Sequence, residues 1–219
     1  MIKMLFDKDK LSSLKLLCLG SHSDDIEIGC GGTILKLANQ YKNKLEIVWV
    51  VFSANGEREK EARESADAFL KNIKRKRIIT YNHRDGYFPY IGIEIKESFE
   101  SFKKDLSPDI IFTHYRDDRH QDHRLISDLT WNTFRDHLIL EYEIPKYDGD
   151  FGSPNIFVPL NDKICRQKNR FIIKHFLTQK KKHWLTEETL LSTLRLRGIE
   201  SGRSSRYAEG FYNRKMSLL

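Results

Sequence analysis

The sequence has no long hydrophobic run, no secretory signal and few cysteines. No apolar stretch approaches the roughly 18 residues that a membrane-spanning helix needs, so no membrane association is predicted. Acidic side chains at Asp7 and Asp9 stand where a secretory signal would have its apolar segment. The cysteines number only three, and an odd, sparse count without such a signal indicates reduced thiols. These absences predict a cytoplasmic protein.

Repeats, low-complexity tracts and obvious linkers are also missing. The chain has 219 residues, of which 39% are hydrophobic, and this is too apolar for a disordered protein. A chain of this length can bury a sizeable core without disulfides. We therefore predict a single domain over residues 1–219.

Positive charge is in excess but is dispersed along the chain. Lysine and arginine number 38 against 31 acidic residues, which gives a formal net charge of +7. Such an excess can indicate nucleic-acid binding. However, the densest runs, 71–77 and 180–182, have no interleaved aromatic residues, so no nucleic-acid partner is predicted. The charge fits a solvated surface, and attraction of an anionic small molecule is the alternative.

Short apolar segments alternate with helical patterns along the first 134 residues. Strands are predicted over 14–19, 45–52, 77–81 and 109–114, and helices over 31–41, 58–70, 93–106 and 124–134. This alternation predicts an α/β protein with a Rossmann-like, three-layer fold and a mostly parallel sheet. In the last third, strands are predicted over 139–144 and 155–160 and helices over 163–178 and 186–196. These elements are expected to complete the domain or to cap its active face.

The first polar motif, GSHSDDIEIGCGGT over residues 20–33, follows the first predicted strand. Ligands of open α/β sheets bind beyond the carboxyl ends of the strands, where His22, Asp24 and Asp25 would lie. A cation would satisfy such a group of partly desolvated side chains. The alternative is that Asp24 or Asp25 caps the following helix. The glycines lack the spacing of a dinucleotide-binding loop.

The second polar motif, THYRDDRHQDHR over residues 113–124, follows the fourth predicted strand. The first and fourth strands are neighbours in the common doubly wound order, so the two motifs should converge on one crevice. His120 and His123 are three residues apart and share a face if the helix has begun. Asp122 adjoins His123 and is expected to orient its free ring nitrogen. A solvated charged loop is the alternative.

Together the two motifs resemble those of the LmbE-like, or PIG-L-like, zinc-dependent N-deacetylases. The segment SHSDDIE over residues 21–27 is similar to the AHPDDE-type hallmark of that family, and HQDH over 120–123 is similar to its His-x-Asp-His element. Supporting similarity extends to 58–63, 174–179 and 197–211. The resemblance therefore covers most of the chain.

This resemblance implies one Zn²⁺ per chain, held by His22, Asp25 and His123. It implies that Asp24 is the general base and that His120 stabilises the developing oxyanion or protonates the leaving amine. Two histidines and one carboxylate leave a fourth zinc position open, as catalytic sites require. Ser23 stands where the family has proline, which makes the turn less rigid but keeps every ligand.

The resemblance also implies a small-molecule substrate, an N-acetylated amino sugar or its conjugate. Three residues are candidates for substrate contact: Arg58 for an anionic group, Asp85 after the third strand and His114 at the end of the fourth. A solvated helical arginine is an equal interpretation of Arg58. Self-association is left open. Two alternative functions are a metal-dependent hydrolase of another amide or ester and a non-catalytic carbohydrate- or nucleotide-binding protein of the same fold.

Overall fold

The computed structural model describes residues 12–202 and 205–217, and a central sheet organises this part of the chain. The strands are β1 (Leu14–His22), β2 (Leu45–Ser53), β3 (Arg75–Thr80), β4 (Ile110–His114), β5 (Leu138–Tyr142), β6 (Ile156–Leu160) and β7 (Tyr207–Tyr212). Their order in the sheet is β3-β2-β1-β4-β5-β7-β6. The first five strands run parallel, and β7 is antiparallel to both β5 and β6. The predicted contact between the first and fourth strands is confirmed.

Helices cover both faces of the sheet. They are α1 (Asp25–Tyr41), α2 (Gly56–Phe69), α3 (Gly92–Lys103), α4 (Gln121–Thr133), α5 (Asp162–His175) and α6 (Glu187–Glu200). One buried cluster joins the sheet to α1, α2, α5 and α6, and a second joins it to α3 and α4. The predicted three-layer α/β architecture is therefore confirmed.

The central strand β1 shows why the sheet is buried on both faces. Leu16 and Cys18 belong to the first cluster, whereas Leu17 and Leu19 belong to the second. Side chains alternate between the faces of a strand, so a continuous apolar run fits a strand that is covered on both sides. This burial places the polar residues that follow β1 at the carboxyl edge of the sheet.

The first helix begins earlier than the sequence pattern predicted. It starts at Asp25 instead of residue 31. Glycine destabilises a helix interior by about 1 kcal/mol relative to alanine. The glycines of the first polar motif therefore led to the later predicted helix start, at residue 31. Tertiary packing overrides this preference: a Cβ at Gly29 would lie 2.1 Å from Cδ2 of the buried Tyr142 ring, so only glycine lets α1 approach β5 this closely.

The strand β7 was not predicted from the sequence. Its residues Tyr207–Tyr212 lie between β5 and β6 and complete the sheet. The last third of the chain therefore extends the sheet and adds α5 and α6 to one face of it. Among the described residues, no helix combines the length and the hydrophobicity that crossing a bilayer requires.

Candidate active site

Both polar motifs lie at the carboxyl ends of adjacent strands. His22 is the last residue of β1, and Asp25 is the first residue of α1. His120 precedes α4 as its N-cap, and His123 lies in the first turn of that helix. Because β1 and β4 pair in parallel, residues about 100 positions apart in the chain meet at one edge of the sheet.

Three side-chain atoms converge with the spacing of metal ligands. His22 Nδ1 lies 3.2 Å from His123 Nε2 and 3.3 Å from Asp25 Oδ2. His123 Nε2 and Asp25 Oδ2 are 3.5 Å apart. A tetrahedral zinc ion with bonds of about 2.0–2.1 Å holds its ligand atoms about 3.3–3.4 Å apart. The distances between the three donors therefore fit a tetrahedral metal. All three residues are buried, which disfavours leaving them unpaired.

Asp122 contacts the other side of His22, not His123 as expected. Its Oδ2 lies 3.2 Å from His22 Nε2. The same carboxylate accepts hydrogen bonds from the amides of Gly86 and Phe88, which fix its position. The expectation failed because Asp122 is next to His123 in sequence but points away from it at the start of α4. Asp122 instead holds the imidazole of His22 in place.

The residue that orients His123 is Asp118, which the sequence analysis did not single out. Its Oδ2 lies 2.9 Å from His123 Nδ1 and 3.0 Å from Nζ of Lys146. Burial raises the pKa of Asp118, but the hydrogen bond and charge of His123 together with Lys146 hold it well below its usual range. Asp118 lies within the second polar motif, but nothing in the sequence distinguished it from Asp117.

The two histidines among the converging side chains have opposite pKa shifts. Burial lowers the pKa of His123 to about 4, and the nearby His114 contributes to this shift. Burial also opposes protonation of His22, but the charge of Asp25 and hydrogen bonds to Asp122 and Asp85 raise its pKa well above the usual range.

Asp24 precedes Asp25 in the chain but is not one of the three converging side chains. It occupies the N-cap position of α1, yet its side chain makes no capping hydrogen bond. Its Oδ1 lies 3.3 Å from the guanidinium of Arg58. Burial first, and then the charge of Asp25, raise the pKa of Asp24. A buried carboxylate with a raised pKa is suited to accepting a proton.

His120 presents a single hydrogen-bond donor. The ring caps α4, because its Nδ1 accepts a hydrogen bond from the amide of Asp122 at 3.3 Å. A neutral ring in this arrangement carries its hydrogen on Nε2. Burial, and then the charge of His22, lower the pKa of His120 and favour this neutral form. The ring lies beside His22 and His123, with centroid distances of 4.8 and 4.6 Å.

The three residues expected to contact substrate differ in their exposure to solvent. Asp85 has an exposed side chain, and its Oδ1 lies 3.1 Å from His22 Nε2. Arg58 is partly exposed beside Asp24. His114 is fully buried, and its Nε2 accepts a hydrogen bond from the amide of Ser21 at 2.9 Å. Its ring stacks on His123, at a centroid distance of 3.9 Å, and is closed off from solvent, so its contact with substrate stays a prediction.

Comparisons with known proteins agree with this architecture. The model of the family described as PIG-L: GlcNAc-PI de-N-acetylase matches residues 17–134, which include both polar motifs. Among solved structures, the conserved protein TT1542 from Thermus thermophilus is 19% identical, with a TM-score of 0.71 over 94% of this chain and 97% of that one.

Two further structures have the same fold and different activities. N,N'-diacetylchitobiose deacetylase from Pyrococcus horikoshii is 22% identical, with a TM-score of 0.66 over 95% of this chain and 87% of that one. GalB, the 4-carboxy-2-hydroxymuconate hydratase from Pseudomonas putida, is 16% identical, with a TM-score of 0.73 over 94% and 99% of the two chains. At these identities the likeness establishes the fold alone.

Proposed function

Because this chain belongs to the PIG-L family, the GlcNAc-PI de-N-acetylases, we propose that it is a zinc-dependent deacetylase of an N-acetylated amino sugar or sugar conjugate. The observation that carries this proposal is the convergence of His22, Asp25 and His123 at tetrahedral spacing, with the carboxylate of Asp24 beside them. The pattern of two histidines and one carboxylate is typical of catalytic zinc sites.

Zinc is the metal that this donor set favours, at one ion per chain. Imidazole and carboxylate ligands also accept iron or cobalt. A bound zinc ion supplies a Lewis acid that polarises an amide carbonyl and lowers the pKa of water towards about 7. Asp118 and Asp122 accept hydrogen bonds from the outward ring nitrogens of His123 and His22, which keeps the inward nitrogens free to bind the metal.

Proton transfer is assigned to Asp24, and stabilisation of the oxyanion to His120. Asp24 takes the proton of the attacking water, because its carboxylate is buried beside the ligands and its pKa is raised. His120 donates a hydrogen bond from Nε2 to the developing oxyanion of the amide and keeps that hydrogen, while Asp24 returns the proton of the water to the leaving amine. Because His120 Nδ1 accepts the capping hydrogen bond of α4, that nitrogen carries no hydrogen. The donor is therefore a neutral imidazole and not the imidazolium of simple acid catalysis.

The substrate is proposed to be a small molecule with an acetamido group on a pyranose ring. The deacetylase from Pyrococcus horikoshii supports the sugar class. An anionic carrier, such as a phosphate or nucleotide, is favoured by the net charge of +7 and by the position of Arg58 at the site. Asp85 is exposed beside His22 and is available for the sugar hydroxyl groups.

A cytoplasmic location is also part of the proposal. The described cysteines Cys18, Cys30 and Cys165 are all buried and unbridged, which fits a reducing compartment. Neither a nucleic-acid partner nor a membrane is required by this function. Because the hydratase GalB has the same fold, the fold does not identify the reaction, and the activity has to be tested by identifying the product.

The test measures metal content and acetate release together. Zinc-loaded wild-type protein should release acetate from an N-acetylglucosamine-type compound, and chelation should abolish the release. Asp25→Ala should lose metal, whereas Asp24→Asn should keep metal and lose about 100-fold or more of its turnover. Equal metal loss in the two variants would show that these adjacent acids are misassigned. Metal binding without acetate release from any amide would favour another hydrolase or a hydratase.

The anionic carrier is tested by comparing substrates. A phosphorylated or nucleotide-linked N-acetylhexosamine should have a higher kcat/KM than the free sugar, and added salt should reduce the difference. Equal values that do not respond to salt would indicate that the positive charge is ordinary surface charge.

A further inference from the structure

One buried ion pair outside the proposed metal site contacts the middle of α1. Glu209 of β7 and Lys168 of α5 are each only 2% exposed, and Lys168 Nζ lies 2.7 Å from Glu209 Oε1. The carboxylate accepts hydrogen bonds from the amides of Gly32 at 2.8 Å and Thr33 at 2.6 Å. Lys168 also donates to the carbonyl oxygen of Ile28 at 2.6 Å. Both charges are therefore bound to the same stretch of α1, residues 28–33.

The ion pair contacts two backbone groups that are partners within a regular α-helix. In an α-helix the amide of Gly32 donates to the carbonyl of Ile28. Here the carboxylate also accepts from the first group and the ammonium also donates to the second, within a helix that is continuous from Asp25 to Tyr41. Glycine at position 32 permits this approach, because a Cβ there would lie 2.5 Å from Leu160 Cδ1 and 2.9 Å from Glu209 Oε1. This glycine of the first polar motif thus admits a carboxylate of the same chain.

The stretch 28–33 of α1, which the ion pair contacts, is connected directly to the proposed catalytic residues. The amide of Ile28 donates to the carbonyl of Asp24 at 3.1 Å, while its own carbonyl accepts from Lys168. Asp25 is the first residue of the same helix. A shift of the turn at Ile28 would therefore displace Asp24 and Asp25 together.

A buried ion pair is a weak source of stability, because desolvation of the two charges offsets much of their attraction. Its geometry can still select one arrangement of the backbone. We propose that the Lys168–Glu209 pair is a positioning device, which fixes the glycine-containing half of α1 so that Asp25 binds the metal and Asp24 faces the reacting water. This inference rests on the proposed function, since it takes Asp25 as a metal ligand.

The test compares Glu209→Gln with Glu143→Gln. Glu143 is a matched control: it is a buried carboxylate in the same third of the chain, paired with buried Arg197 at 2.7 Å and hydrogen-bonded to Tyr212. Both variants should lower Tm. Only Glu209→Gln should weaken metal affinity, by about 10-fold or more, when the folded proteins are titrated against a fluorescent chelator well below Tm.

Hydrogen exchange supplies a readout that needs no metal. In the metal-free protein, the amides of residues 28–33 should exchange faster in Glu209→Gln than in Glu143→Gln. If Glu209→Gln does not fold, Glu209→Asp replaces it, because it keeps the charge opposite Lys168 but shortens the reach to the two amides. Equal metal affinity and equal exchange in the Glu209 and Glu143 variants would overturn the inference.

The metal titrations of wild type and His123→Ala distinguish a failure of this inference from a failure of the proposed function. If wild-type protein binds no metal, or if His123→Ala binds it as tightly as wild type, the proposed function fails. The exchange measurement then decides alone whether the ion pair fixes α1. If wild type binds metal and His123→Ala does not, a wild-type metal affinity in the Glu209 variant contradicts the positioning role.

Discussion

Replacing Asp118 by alanine should weaken metal binding by about 10- to 100-fold, which corresponds to about 1.4–2.7 kcal/mol. The carboxylate is buried and lies 2.9 Å from His123 Nδ1. A hydrogen bond to a charged group contributes about 1.5–3 kcal/mol, and its loss leaves both the tautomer and the orientation of the ring unspecified. The fold should survive, because Lys146 keeps its contact with Asp150.

Asp117 provides a matched control for this variant. It is the adjacent acid in the same loop, but its side chain is 67% exposed and pairs only at 3.8 Å with Arg116. Asp117→Ala should therefore bind metal like wild type. Affinity is measured by chelator competition, and imidazole NMR should show loss of the His123 Nδ1–H signal in Asp118→Ala alone. Wild-type affinity in Asp118→Ala, or loss of that signal in Asp122→Ala instead, would refute the assignment.

Three other perturbations test separate parts of the structure. Gly29→Ala should cost about 1–3 kcal/mol of unfolding free energy in urea, because its Cβ would overlap the Tyr142 ring, whereas Gly92→Ala, with open space around it, should not destabilise. Metal binding should release a proton near pH 7, because the pKa of His22 is raised and its ring must be neutral to bind. The apparent metal affinity should therefore rise with pH. Calorimetry that detects no proton release would contradict this prediction. His120→Ala should retain metal but slow acetate release by about 100- to 1,000-fold, and loss of metal would show that it is a ligand.

Local sequence patterns were sufficient to predict the fold class and the neighbourhood of the site. Apolar segments such as 14–19 and 109–114 are local signals, and their alternation with helical patterns is sufficient to predict a parallel sheet. Right-handed connections then bring the ends of the first and fourth strands together. The convergence of His22 and His123 could be predicted because each residue directly follows or closely follows a recognisable strand.

Tertiary structure alone decided which groups touch within that neighbourhood. Asp118 contacts His123, although Asp122 is the nearer residue in sequence, because side-chain direction depends on where α4 begins. His114 ends a strand as predicted but turns into the core. Such details depend on helix phase and on packing between distant segments, and neither leaves a periodic pattern in the chain.

The ion pair between Lys168 and Glu209 shows the same limit most clearly. Lys168 belongs to a predicted helix and Glu209 to an unpredicted strand, and both meet α1, which lies far from them in the chain. In sequence, the two charges resemble ordinary surface residues, and Gly32 resembles a helix breaker. Only the packed sheet, which places β7 between β5 and β6, brings the three together.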